Sequence, residues 1–135
     1  MKRIFLDTNF ILDYLVRDEY RLQAEEFMEV CARAGCKFFI SYLSVANFAY
    51  IVRKLPKEDL YSLLLTITEL FEVIPNDSEQ LKKAIELKQN DFEDALQYQT
   101  AIASKCDFII TRNEKDFSFS KLPVLSAQKF LERYS

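Results

Sequence analysis

Short apolar runs alternate with stretches of helical period along the whole chain. Lys2 to Leu6 is a β-rich run that stops at Asp7. Thr8 and Asn9 then offer a cap for a helix whose apolar side is Phe10, Ile11, Tyr14 and Leu15. A second helix is predicted from about Glu19 to Ala34. It stops at Gly35, the residue type favoured just past a helix end. Lys37 to Ser41 reads as a buried strand. Ser44 opens a helix with Val45, Phe48, Ala49 and Val52 at helical spacing. Pro56 precedes a helix over 57–71, and Glu72 to Pro75 reads as a short strand. Asp77-Ser78-Glu79-Gln80 resembles a capping box that starts a helix towards Asn90. A further helix runs from Phe92 to about Lys105. Phe108 to Ile110 and Leu122 to Leu125 are strands, and Ser126 caps a last helix. Strands alternating with helices predict crossover units and a mostly parallel sheet covered on both faces. The expected fold is α/β.

Composition narrows the chemistry. The chain has 135 residues, which favours a single domain over 1–135. It contains no histidine, so Ser-His-Asp catalysis and histidine-ligated zinc are excluded. Gly35 is the one glycine, too few for a phosphate-cradling loop or a dinucleotide turn. Cys31, Cys36 and Cys106 are read as reduced core residues, which fits a cytoplasmic protein. No signal peptide is expected. The longest uncharged stretch, Phe38 to Val52, is shorter than the roughly 20 residues a membrane span needs. A net charge of −3 argues against a nonspecific nucleic-acid coat held by bulk charge.

In parallel sheets, ligands bind beyond the carboxyl ends of the strands. The first strand delivers Asp7, Thr8 and Asn9, and the second delivers Ser41 with Ser44 and Asn47 beyond it. The strand at 108–110 delivers Thr111, Arg112, Asn113 and Asp116, and the helix before it starts with Asp91, Glu93 and Asp94. Carboxylates gathered at one sheet end repel one another unless a cation sits between them. Oxygen ligands without histidine or thiolate select Mg²⁺ or Mn²⁺. The implied chemistry is metal-dependent phosphodiester hydrolysis. Taken singly, each of these acids also reads as an ordinary helix cap.

Ile4-Phe5-Leu6-Asp7-Thr8-Asn9 resembles the opening motif of the PIN-domain family, the fold of VapC-type toxin ribonucleases. Phe92 to Ala101 resembles its third motif, an acid followed by an alanine-rich helix. Phe108 to Phe117 resembles its last, an apolar strand followed by Thr-Arg-Asn and an acidic-Phe pair. The resemblance runs from residue 3 to about residue 130. It implies a three-layer α/β/α PIN-like fold and an Mg²⁺- or Mn²⁺-dependent ribonuclease. Asp7, Asp94 and Asp116 would be its metal-site acids, with Thr8, Asn9, Thr111 and Asn113 as supporting polar residues. It further implies an RNA substrate, an antitoxin protein as partner and a homodimer.

The second motif departs from the pattern, because Asn47 stands where the family places a glutamate. A neutral amide removes one negative charge from the site, and Asp91 or Glu93 is the available substitute. The expected RNA contacts are Arg112 and Lys115 beside the last motif and Arg53 and Lys54 after the Asn47 helix. Asn47 also supports a rival reading, a catalytically weakened PIN-fold module that binds RNA or protein. A phosphatase of the haloacid-dehalogenase type needs an aspartate where Asn9 stands, and no convincing receiver-domain set is present.

Overall fold

The structure is a computed structural model that describes residues 2–134. Among the described residues, five strands form one sheet: β1 (Arg3–Leu6), β2 (Lys37–Ser41), β3 (Glu72–Ile74), β4 (Phe108–Ile110) and β5 (Val124–Leu125). Their order is β3-β2-β1-β4-β5, and each neighbouring pair is parallel. Parallel neighbours need crossovers, which the helices supply. These are α1 (Thr8–Leu15), α2 (Arg21–Arg33), α3 (Tyr42–Ile51), α4 (Lys57–Leu70), α5 (Ser78–Leu87), α6 (Phe92–Ala103) and α7 (Ala127–Tyr134). A single 3₁₀ turn, Glu114–Phe117, follows β4.

Alternation along the strands divides the core between two faces. Ile4, Leu6, Phe38, Ile40, Phe108 and Ile110 pack with Phe27 of α2, Phe48 of α3, Ile67 of α4 and Phe130 of α7. Phe5, Phe39 and Ile109 turn the other way, onto Tyr98 and Ala101 of α6 and onto Phe117. Helix α5 packs on α6 through Ala84, Ala95 and Leu96. The result is the expected three-layer α/β/α arrangement.

The helix starts differ in detail from the sequence expectation. Asp7, not Thr8 or Asn9, caps α1, and Ser41, not Ser44, caps α3. In both cases the last strand residue or its successor turns straight into the helix and supplies the oxygen for an otherwise unbonded N–H. Gly35 sits past the end of α2 with φ 79°, the left-handed conformation that favours glycine. Helix α5 ends at Leu87 rather than near Asn90, and Lys88 takes a left-handed φ of 51° there. Cys31 and Cys106 are buried free thiols, both pushed up to about 12 by burial. Among the described residues no helix is long and apolar enough to cross a membrane.

Candidate active site

Because β1 lies between β2 and β4, the carboxyl ends of these three strands stand side by side. Asp7 leaves β1 there and is 8% exposed. Its Oδ1 accepts the Phe10 N–H at 2.9 Å, and its Oδ2 accepts from Thr111 Oγ1 at 2.6 Å. Burial still prevails over these bonds and over the nearby charge of Arg112, and the carboxyl is pushed up to about 6. Thr111 also accepts the Asn113 N–H at 3.1 Å, which shapes the turn leading to Asp116.

Next to Asp7, α1 and the segment after β4 are joined a second time. Arg112 donates through Nε and Nη2 to the two oxygens of Asp13, at 2.8 and 3.3 Å, and its guanidinium lies 4.0 Å from the Tyr20 ring centre. The Asp13 side chain is only 4% exposed, and Arg17 also reaches it, at 3.8 Å. Arg17 donates to Asn9 Oδ1 at 3.1 Å. Arg112 and Asn9 are thus engaged within the protein. Sequence reasoning missed Asp13. Its signal was a charge set among Phe10, Ile11, Leu12 and Tyr14, where a buried carboxylate requires a partner.

The α6 side is built differently. Asp91 caps α6 and accepts the Asp94 N–H at 3.2 Å. Asp94 is half-buried and its Oδ2 is buried without a hydrogen-bond partner. Burial, together with Asp91, Asp116 and Glu93, pushes Asp94 up to about 7. Glu93 is raised by burial and by Asp91, and the Asn47 amide beside it acts in the opposite direction. That amide's Nδ2 is buried and has no hydrogen-bond partner. Asn47, Asp91, Glu93, Asp94 and Asp116 therefore form one neighbourhood, and Asp7, Asp13, Thr111 and Arg112 form another. Of the expected RNA contacts, Arg53 stacks 4.0 Å from the Tyr50 ring and donates to the Tyr50 carbonyl, while Lys54 and Lys115 are exposed.

Thr8 belongs to a buried network between these neighbourhoods. It donates to Ser44 Oγ at 3.0 Å, and Gln97 of α6 bonds both Ser41 and Ser44. Gln97 was also missed, since two glutamines on α6, Gln97 and Gln99, carry no pattern that tells which one meets a distant partner.

The groups gathered at the start of α6 are carboxylates and the Asn47 amide, and Asp94 Oδ2 is an unpartnered buried acceptor among like charges. Both features fit a hard divalent cation. Among the described residues, however, no group of three or more acidic or thiol side chains stands close enough to hold an ion alone. Water and substrate oxygens would have to complete any such coordination.

An all-parallel α/β/α sheet with an acidic, oxygen-lined rim at its carboxyl end defines the class of this protein. It belongs to the PIN domain family, whose model matches residues 3–115 and ends just before Asp116. A relative, Ribonuclease VapC1 of Aquifex aeolicus (strain VF5), is 27% identical over 143 aligned residues, covering 99% of this chain and 96% of that protein. The fold is similar to VapBC2 of Rickettsia felis, solved bound to a DNA fragment from its promoter. The TM-score is 0.73 at 22% identity, over 92% of this chain and 97% of that one. VapBC-1 of nontypeable Haemophilus influenzae aligns with a TM-score of 0.74 at 14% identity, over 93% and 98% of the two chains.

Proposed function

We propose that this chain is a metal-dependent endoribonuclease of the PIN type and the toxin half of a toxin–antitoxin pair, acting in the cytoplasm. Asp94 carries the reading: a half-buried carboxyl with a free oxygen, raised by three neighbouring acids, is a site short of positive charge. Asp94, Asp116 and Asp7 would hold Mg²⁺ or Mn²⁺, with Asn47 as a neutral neighbour and Glu93 or Asp91 as the further acid. When bound, the ion would supply an activated water and positive charge for a phosphodiester.

The chain's own groups prepare that chemistry. Thr111 and the Phe10 N–H fix both oxygens of Asp7, and Asn113 fixes the turn towards Asp116. Asp13 and Tyr20 hold Arg112 where its charge reaches Asp7. Lys115 and Lys54 are exposed to meet RNA phosphates, and Arg53 can do so after leaving Tyr50. A VapB-like antitoxin and a second copy of the chain are the expected partners, by analogy with the family. The test is RNA cleavage with Mn²⁺ or Mg²⁺ against EDTA, in wild type and Asp94→Asn. Cleavage that needs the metal and Asp94 is the expected result.

Asn47 favours one other reading, a PIN-fold binding module with weakened cleavage. RNA retention without cleavage in the same assay would select it.

A further inference from the structure

Beneath the acidic rim, four buried side chains close a polar knot around Gln97. Gln97 is 1% exposed, and Ser41 and Ser44 are fully buried. The Gln97 Oε1 accepts from Ser41 Oγ at 2.7 Å, and its Nε2 donates to Ser44 Oγ at 2.8 Å. Ser44 Oγ accepts from Thr8 Oγ1, and Ser41 Oγ accepts the Ser44 N–H that begins α3. Three of the four adjoin a rim residue. Thr8 follows Asp7, Ser44 lies one helical turn before Asn47, and Gln97 lies one turn after Asp94.

The other buried positions of α6 are mixed: Ala95, Leu96 and Ala101 are apolar, whereas Tyr98, Gln99 and Thr100 carry polar groups. An apolar side chain at 97 could fill the same space but would fix no direction, whereas paired hydrogen bonds in a buried site hold one register. One turn further on, Thr100 accepts from Asn76 Nδ2 at 2.8 Å, and Asn76 Oδ1 accepts the Leu43 N–H. Helix α6 is therefore tied by side chains at two successive turns.

We propose that Gln97 is the positioning residue that sets α6 against α3 and α1, and so sets Asp94 against Asn47 and Asp7. Its effect on catalysis rests on the ribonuclease reading, whereas its effect on geometry does not. Two variants separate direction from packing. Gln97→Met keeps the volume and loses both bonds. Gln97→Glu keeps both while its buried acid stays protonated, since a neutral carboxyl has the amide's donor and acceptor.

The experiment measures steady-state cleavage with Mn²⁺ at pH 6 on an RNA cut by the wild type. It also records the Asn47 side-chain amide by ¹⁵N NMR in the metal-free protein. For Gln97→Met, kcat falls about tenfold or more with KM nearly unchanged, while Gln97→Glu stays within about threefold of wild type. The Asn47 resonances shift in Gln97→Met and return towards wild type in Gln97→Glu. Wild-type kcat in Gln97→Met, or Asn47 resonances that do not move in it, overturns the proposal. Should the wild type cut no RNA, the ribonuclease reading falls and the NMR result alone decides the positioning role.

Discussion

On the β1 side of the rim, Asp7 has both oxygens bonded and Asp13 is held by an arginine fork. On the α6 side, Asp94 has a bare oxygen and three acids for company. The first neighbourhood contains its own counter-charge and holds the chain together. The second gathers negative charge that the protein itself does not neutralise. The fork-held contacts thus lie beside the central strand β1 and the uncompensated acids at the start of α6, and substitutions at Asp13 and Asp94 should separate stability from activity.

The largest expected separation is at Asp94. Asp94→Asn should lower RNA cleavage on the order of 100-fold or more. Its melting temperature should not fall, because a crowded charge has been removed. A parallel loss of stability and activity would show that α6 anchors the fold as well.

The reverse is expected of Asp13→Asn. Removing one partner of a buried ion pair typically destabilises by about 3–5 kcal/mol. Arg112 retains some solvent, with its side chain 32% exposed, so about 2–3 kcal/mol is expected from urea denaturation. Loss of cleavage should follow the unfolded fraction, with a smaller further loss as Arg112 leaves Asp7.

Acidity sharpens the comparison further. An unfolded aspartate titrates near 3.9, whereas Asp7 is raised to about 6 and Asp94 to about 7. Between these values the folded chain retains protons that the unfolded chain releases. Their contribution to stability is thus complete below about pH 4 and is lost as pH rises through 6 and 7. Metal-free protein should lose roughly 1–3 kcal/mol across that window. Mn²⁺ should reduce the loss by favouring the carboxylates, and calorimetric melts at pH 5 and 7.5 measure both effects.

The smallest effect is expected from Asn47→Glu. Restoring an acid beside Glu93 and Asp94 should tighten Mn²⁺ binding a few-fold, about 0.5–1 kcal/mol, and slightly destabilise the metal-free state. Unchanged affinity in a calorimetric titration would place Asn47 outside the ion's reach.

The readable parts of this molecule were those carried by local pattern. The runs ending at Leu6 and Ile110 announce buried strands, and the acids just beyond them fall where parallel sheets present ligands. Asp77 announces the start of α5 through its capping box. Less visible were groups whose meaning depends on a distant partner. Asp13 and Arg112 are 99 residues apart, and Gln97 bonds a serine 56 residues earlier. Apolar periodicity tells which side of a helix is buried, but not which polar group will meet another inside. The α3 cap moved from Ser44 to Ser41 for a related reason. A serine at either position can cap, and only the path of β2 into the helix decides between them.

The central place of β1 has a consequence in time. Strand β1 is synthesised well before its partner β4, and Asp7 waits for Thr111, 104 residues further on. At translation rates of about 5–20 residues per second, that is an interval of roughly 5–20 s. Throughout it, an apolar strand lacks one neighbour, and the rim gains Asp94 only late in the interval and Asp116 after it. Between β1 and β4 the emerging chain is therefore sticky but without its acids assembled, and it acquires its finished rim only once the segment after β4 arrives.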